Sequence, residues 1–356
     1  MLVGIICPEG HYTNRHRLRL GCVVSALAMT QVTWLRMTTQ TTGMAHTEYP
    51  QSWYPVARTR DLRSGSHTII QAFNAEWLLF RTQSGQVGLT SRHCCHMGAD
   101  LAQGRVHEDA IECPLHGWRF DACGRCTQIP SLANPPQDIH LRSLVCVERY
   151  DLIFAFWGAK PAFELPAPPE MACELICSTP HTLSIATEYH TPSLNTFDIQ
   201  HFERIHNRRF TAVPDINQLN RFQLRIDYEA EILRNRWVDH AMSLLSPART
   251  RVSIDCWGSS LLLLRNADTR FGGLVGMLPE TTGQSRVFIV AFKPRRSDAS
   301  AAVRIADRVL VGLAGVMMRS FLKPDETALM NMRPFRGYWI DELDAAAMVY
   351  WDYWQQ

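Results

Sequence analysis

Two short stretches concentrate side chains that bind metals. RHCCHMGADL begins at Arg92 and CPLHGWRF begins at Cys113. They contain Cys94-x-His96, then sixteen intervening residues, then Cys113-x2-His116. Each half offers one thiolate and one imidazole on a tight loop, and Pro114 and Gly117 shape the second turn. A third stretch, NTFDIQHFERIHNRRF from Asn195, adds Asn195, Asp198, His201 and His206.

Two Cys and two His can hold a [2Fe–2S] cluster of the Rieske kind. Both thiolates then sit on one iron and both imidazoles on the other. Imidazoles raise the potential relative to an all-cysteine cluster and leave the outer iron near the surface, where an electron can pass. By spacing the ligands are Cys94, His96, Cys113 and His116, with Cys95 and His93 outside the set. A tetrahedral zinc would accept the same residues, but this spacing on two loops is not that of the common zinc modules. Cys123 and Cys126 form a C-x2-C with no matching second pair and are read as part of a turn near the cluster.

His201 and His206 are five residues apart, so a regular helix would separate them by about 140°. If both face one metal, the helix must break or bulge near the metal. By themselves, two histidines in a polar stretch are surface residues.

The elements around these stretches differ along the chain. HTIIQAF, EWLLFRT, QVGLT and YDLIFAFWG read as short strands between Asn, Ser and Gly turns. A stretch with prolines at 161, 166, 168 and 169 reads as a linker. Beyond it, FQLRIDYEAEI, TRVSIDCWGSSLLLLR and SRVFIVAFK read as long antiparallel strands. SAAVRIADRVLVGLAGVMMRSFL and Asp341 to Gln355 read as helices. The expected organisation is an extension over 1–47, a cluster-binding domain over 48–160, a linker over 161–180 and an α+β domain over 181–356.

A net charge of +2, from 36 basic and 34 acidic residues, gives no support for a nucleic-acid or membrane-surface partner. Eleven cysteines without regular spacing fit free thiols and metal ligands in a reducing, cytoplasmic setting. The basic run NRHRLRL and the apolar run Gly21 to Met29 imitate a signal peptide but are too short to span a bilayer. We read them as an extension, with Met44 as a natural start to the first domain.

CCHMGADL and CPLHGWRF resemble the Rieske domain of the Rieske non-haem iron oxygenases, the ring-hydroxylating type and its monooxygenase branch. They are less similar to the respiratory Rieske proteins, which carry a further disulfide-forming Cys in each loop. Ala99 and Leu115 stand at those places here. The resemblance implies an all-β Rieske domain followed by a helix-grip (START-like) antiparallel-sheet catalytic domain. It also implies a mononuclear Fe(II) held by His201, His206 and a distal acid. FLKPDETALMNMRPF places Asp325 after a long helix, in the family's setting. Glu326, Asp341, Glu342 and Asp344 are rivals.

In the family, the acid matching Asp198 bridges a cluster histidine of one subunit to an iron histidine of the next. That would join His116 to His201 and implies a head-to-tail homotrimer. Asn195 is expected near the iron as a hydrogen-bonding group. Ordinary helix capping is the simpler role for both Asn195 and Asp198.

FGGLVG at Phe271 lacks the strand–GxGxxG–helix context of a dinucleotide site. Electrons from NAD(P)H must therefore arrive through a separate ferredoxin or flavin reductase. The implied reaction is O2-dependent monooxygenation of an apolar, aromatic or polycyclic small molecule. Phe197, Phe202, Phe210, Trp257, Met317 and Met318 are candidate pocket residues, though each also fits plain core. GADLAQGRV, LKPDE and FRGYWIDE are most similar to the aminopyrrolnitrin oxygenase type, and 3-ketosteroid 9-alpha-hydroxylases share the second motif. N-oxidation, demethylation and oxidative cyclisation thus stay open. A Rieske electron carrier without catalytic iron, or a structural zinc protein, would be readings of another class.

Overall fold

The computed structural model of the chain describes residues 49–168, 174–233, 249–269, 271–295, 300–333 and 338–356. The apolar run Gly21 to Met29 and Met44 lie outside the described residues. So does part of the Pro-rich stretch.

The first half is built from three small antiparallel sheets. One joins Ser52–Arg58, Leu152–Trp157 and Cys146–Arg149. A second joins His67–Ala72, Ala75–Arg81, Val87–Ser91 and Ser143–Leu144. The third joins Arg105–His107, Ala110–Glu112, Arg119–Asp121 and Cys126–Gln128. Leu78, Phe80, Leu101, Ile111, Phe120, Ile129 and Leu141 form a separate apolar core there, and Cys94, Cys113 and Cys126 belong to it.

The second half is a nine-stranded antiparallel sheet gripped by helices, as the α+β expectation requires. Its long strands are Gln223–Ile232, Arg249–Trp257, Gly272–Thr281 and Gln284–Pro294. FGGLVG lies at the start of Gly272–Thr281, and its glycines are there for packing. A Cβ on Gly272 would stand 2.2 Å from the Phe292 ring, and one on Gly276 2.6 Å from Pro55.

Four helices complete the described residues: α1 (Thr191–Thr196), α2 (Ile199–His206), α3 (Ala301–Ala328) and α4 (Asp341–Trp354). Ser300 caps α3 by accepting from the Val303 N–H at 3.4 Å. Asp307, Val311 and Gly315, each four residues on, form its buried stripe against the sheet. Asp341, Glu342 and Asp344 place acids in the first turn of α4, where the helix dipole favours them.

The larger core runs through both halves. It joins Trp53, Tyr54, Phe73 and Trp77 to Leu224, Cys256, Leu274, Phe288 and Tyr350. Burying each such side chain stabilises the fold by about 1.5–3 kcal/mol. The hairpin tip Phe73–Asn74, both in the left-handed region, donates its N–H groups to Pro279 O at 2.8 Å and Glu280 O at 3.1 Å. Ser260 Oγ donates to Trp53 O at 2.9 Å.

Candidate functional site

Two separate constellations emerge. The first lies on the loops Cys94–Ala99 and Cys113–Trp118, which repeat one backbone pattern. Cys94 N–H donates to Ala99 O at 2.8 Å and Gly98 N–H to Cys94 O at 2.9 Å. In the second loop, Cys113 N–H donates to Trp118 O at 2.8 Å and Gly117 N–H to Cys113 O at 3.0 Å. Each loop turns on a left-handed glycine, Gly98 at φ +74° and Gly117 at φ +69°.

Cys94 and Cys113 are buried in the small core, and both His96 and His116 are exposed. The imidazoles of His96 and His116 lie 5.0 Å apart between centroids, and Trp118 stacks on His96 at 4.2 Å and 5°. Thiol faces thiol and imidazole faces imidazole, which is the partition a Rieske cluster needs. Burial pushes the Cys94 thiol up to about 11; the His96 backbone opposes this and the neighbouring Cys113 adds to it. The thiolate form therefore depends on a metal, and binding releases protons.

Arg92 closes the first loop from below. Its Nε donates to Asp100 Oδ1 at 3.0 Å and a terminal nitrogen donates to Glu76 at 2.7 Å. The Arg92 guanidinium holds Asp100 down to about 2. Cys126 is buried in the small core, whereas Cys123 and Cys95 are exposed.

The second constellation is buried. Nε2 of His201 and Nε2 of His206 stand 3.2 and 3.1 Å from Oδ1 of Asp325. All three ligand atoms lie within 4.8 Å of one another. Asp325 Oδ1 is enclosed, and neither imidazole approaches it with the alignment of a hydrogen bond. Separations near 3 Å are what adjacent ligands about 2.1 Å from one ion would show. The donor set thus fits an octahedral-type ion of the facial-triad class. Burial would raise the Asp325 carboxyl, but His201 and His206 outweigh it and hold the group below its usual value. Burial lowers His206, with Asp325 opposing.

Of the expected break or bulge, the helix around these histidines has the break and no bulge. His201 and His206 belong to one continuous helix, α2, without a bulge. The helix ends at His206, because Asn207 turns left-handed at φ 53°. The first-turn and last-residue imidazoles then converge, with ring centroids 4.7 Å apart. Asp325 also lies inside α3 rather than after it, since the helix runs through Pro324 to Ala328.

Asp198 is the N-cap of α2 and accepts from the His201 N–H at 3.2 Å. Asn195 Nδ2 lies 2.9 Å from His201 Nε2, beside the triad. The rival acids sit elsewhere. Glu326 pairs with Arg319 at 3.2 Å and Asp344 accepts from Gln200 at 3.2 Å, while Asp341 and Glu342 open α4.

Of the candidate pocket residues, Phe202 stands by the triad and Phe210 packs against Phe202. They join Tyr228 in an aromatic trio with centroids 4.9 to 5.5 Å apart, and Phe202 lies 5.8 Å from His206. Phe197 stacks on Tyr350 instead, Trp257 on Phe163, and Met318 packs over Gly273. Met317 is half-buried on α3. Sequence reasoning missed Phe321, which stacks on His206 at 4.0 Å and 18°. It also missed Arg208, whose guanidinium lies 5.2 Å over Phe321. Only the proximity of Phe321 to Asp325 on one helix could have pointed to it.

Comparison with known proteins identifies the segment that carries the first constellation. Residues 52–150 match the Rieske [2Fe-2S] domain.

This segment is a Rieske domain.

Individual relatives match parts of the chain. Aminopyrrolnitrin oxygenase of Pseudomonas fluorescens is 31% identical over 173 residues, 46% of this chain and 47% of that protein. Cholesterol 7-desaturase of Bombyx mori is 36% identical over 128 residues, 35% of this chain and 28% of that protein. The chain thus spans less than half the length of these relatives. Among solved structures, the caffeine complex of NdmA from Pseudomonas putida CBB5 superposes with a TM-score of 0.61 at 18% identity. It covers 85% of this chain and 88% of that one. Dicamba monooxygenase bound to dicamba covers 86% of this chain and 96% of its own, with a TM-score of 0.56 at 18% identity. The chain therefore has the fold of the Rieske oxygenases across both halves.

Proposed function

We propose that the chain is the oxygenase component of a Rieske non-haem iron system, acting on an apolar, aromatic or polycyclic small molecule. The observation that carries this reading is the buried convergence of His201, His206 and Asp325 in a chain whose first half is a Rieske domain. Cys94, His96, Cys113 and His116 would hold the [2Fe–2S] cluster, and His201, His206 and Asp325 the Fe(II). Bound there, the iron would supply the activation of O2 that no side chain can provide.

The chain's own residues do the rest. Phe202, Phe210 and Tyr228 exclude water from one side of the triad and offer flat apolar surface to the substrate. The Asn195 amide beside His201 orients a ligand or substrate group. Asp198 fixes the start of α2, and its second role is to accept from His116 of a second copy in a head-to-tail homotrimer. The exposure of His96 and His116, with Met97 at 68% and Leu115 at 56% beside them, supports such a contact or one with a separate ferredoxin or flavin reductase that draws on NAD(P)H. Free thiols at every described cysteine support a cytoplasmic setting. Among the described residues, no helix is long and apolar enough to cross a membrane.

The likeness to aminopyrrolnitrin oxygenase favours a second reading at the same site, N-oxygenation of an arylamine. Metal and sulfide analysis of anaerobically purified protein tests the main reading. We expect about three irons and two acid-labile sulfides per chain, a Rieske EPR signal on reduction, and loss of one iron in His201→Ala. Two irons unaffected by that substitution would leave an electron carrier, and zinc without sulfide would overturn the reading altogether. Turnover of arylamine against polycyclic substrates with a surrogate reductase then separates the two activities.

A further inference from the structure

We infer that Phe321 is a positioning residue for the iron site, setting the plane of the His206 imidazole by stacking where a hydrogen bond would ordinarily do so. The inference rests on the reading of His201, His206 and Asp325 as a metal triad. A metal-binding histidine generally donates its remote ring N–H to a carboxylate, carbonyl or water, which fixes both tautomer and ring orientation. Among the described residues, His206 has no such partner. Its Nδ1 is enclosed and makes no hydrogen bond among the described residues. The ring is nonetheless held. Phe321 lies nearly parallel to it, at 4.0 Å and 18°, which is close, well-overlapped stacking.

Phe321 is itself fixed from two directions. It sits on α3 one turn before Asp325, so the helix that supplies the carboxylate also supplies the ring that orients its partner imidazole. Arg208 places its guanidinium 5.2 Å over the same ring. The Arg208 terminal nitrogen NH1 also donates to His206 O at 3.0 Å and Asn207 O at 3.2 Å, tying down the backbone at the end of α2. His206, Phe321 and Arg208 thus form a clamp that links the end of α2 to α3. At His201 the contacts differ: the Asn195 amide lies against the triad-facing Nε2, and Asp198 accepts from the backbone N–H.

Two consequences follow for the ligand. Its orientation depends on the flat face of residue 321 rather than on the polarity of any neighbour. Among the described residues its remote nitrogen meets no acceptor, so the stack is the contact that holds the ring.

The test is iron retention. Wild type, His201→Ala, Phe321→Met and Phe321→Tyr are loaded with Fe(II) and dialysed against graded chelator. Their mononuclear iron is followed by metal analysis and by the EPR spectrum of the Fe(II)–nitric oxide complex, with the Rieske signal as an internal check of folding. Phe321→Met keeps the volume and loses the flat face. It is expected to weaken iron binding about 10- to 100-fold and broaden the nitric oxide signal, while the Rieske signal stays intact. Phe321→Tyr keeps the face and is expected to retain both. Iron retention in Phe321→Met equal to wild type, with an unchanged nitric oxide spectrum, would overturn the positioning role and leave the triad standing. If Phe321→Met fails to fold, Arg208→Lys decides, since it keeps the charge and removes the planar fork. It is expected to broaden the nitric oxide signal, and an unchanged spectrum would overturn the clamp. A wild type that holds no more mononuclear iron than His201→Ala overturns the triad itself, and the clamp with it.

Discussion

The two constellations are built in opposite ways. The Rieske loops draw four candidate ligands from a stretch of chain running from Cys94 to His116, over a small core of their own, and leave both imidazoles exposed. The triad draws His201 and His206 from one short helix and Asp325 from the far end of a long one. It encloses them, with side-chain exposures of 7%, 3% and 14%. A local site can be complete as soon as two turns form. A distant one exists only when the whole second half has folded around it. The first arrangement suits handing over electrons at a surface, and the second suits chemistry that must be kept dry.

The largest expected effect breaks one site and spares the other. Asp325→Ala should abolish oxygenation and remove the mononuclear iron, while the Rieske EPR signal persists unchanged. Loss of both signals would show that the two sites are not independent. Cys113→Ser should do the reverse, with the Rieske signal gone and the mononuclear site still able to bind Fe(II) and nitric oxide.

Core substitutions sharpen the contrast. Phe120→Ala opens a cavity in the small core and should cost about 3–5 kcal/mol. Its damage should fall on the Rieske loops. Phe288→Ala, in the core shared by both halves, should lower the thermal midpoint of the whole chain by a comparable amount. Calorimetry with parallel detection of the Rieske colour would tell them apart.

The smallest effect concerns acid. Asp100 is held down to about 2 by Arg92, below its unfolded value, so its contribution is fully present above about 3.9 and is lost as pH falls through about 2. The pair is partly exposed, so Asp100→Asn should cost only about 0.2–1 kcal/mol at neutral pH. The variant should also lose that part of the acid dependence of Rieske-signal bleaching below about pH 4.

Legibility in the sequence followed the same division. C-x-H and C-x2-H could be read directly, because two turns are local objects and their glycines are visible. The triad was legible only through resemblance. Five-residue spacing on a helix argues against a shared face unless α2 stops at His206. The one local sign was Asn207, an amide suited to the left-handed turn that ends the helix. Pro324 in turn read as the end of α3, whereas the helix continues through it and carries Asp325 inside its last turns. Phe321 and Arg208 had no signature at all, since a stack between α3 and the strand after α2 is a purely tertiary contact. A sheet accompanied by long helices was legible from the alternating strands and the helical periodicity, and its helix-grip arrangement only through resemblance; the continuity of one core through both halves was not legible.

That continuity governs what can be done with the chain as parts. Phe73 and Asn74 are hooked to the backbone of Pro279 and Glu280, and Ser260 to Trp53. A protease cut in the Pro-rich stretch would therefore leave a nicked but still associated molecule. The electron-transfer half cannot be lent out as a free module, and neither half can be swapped between such chains without recutting the surface they share.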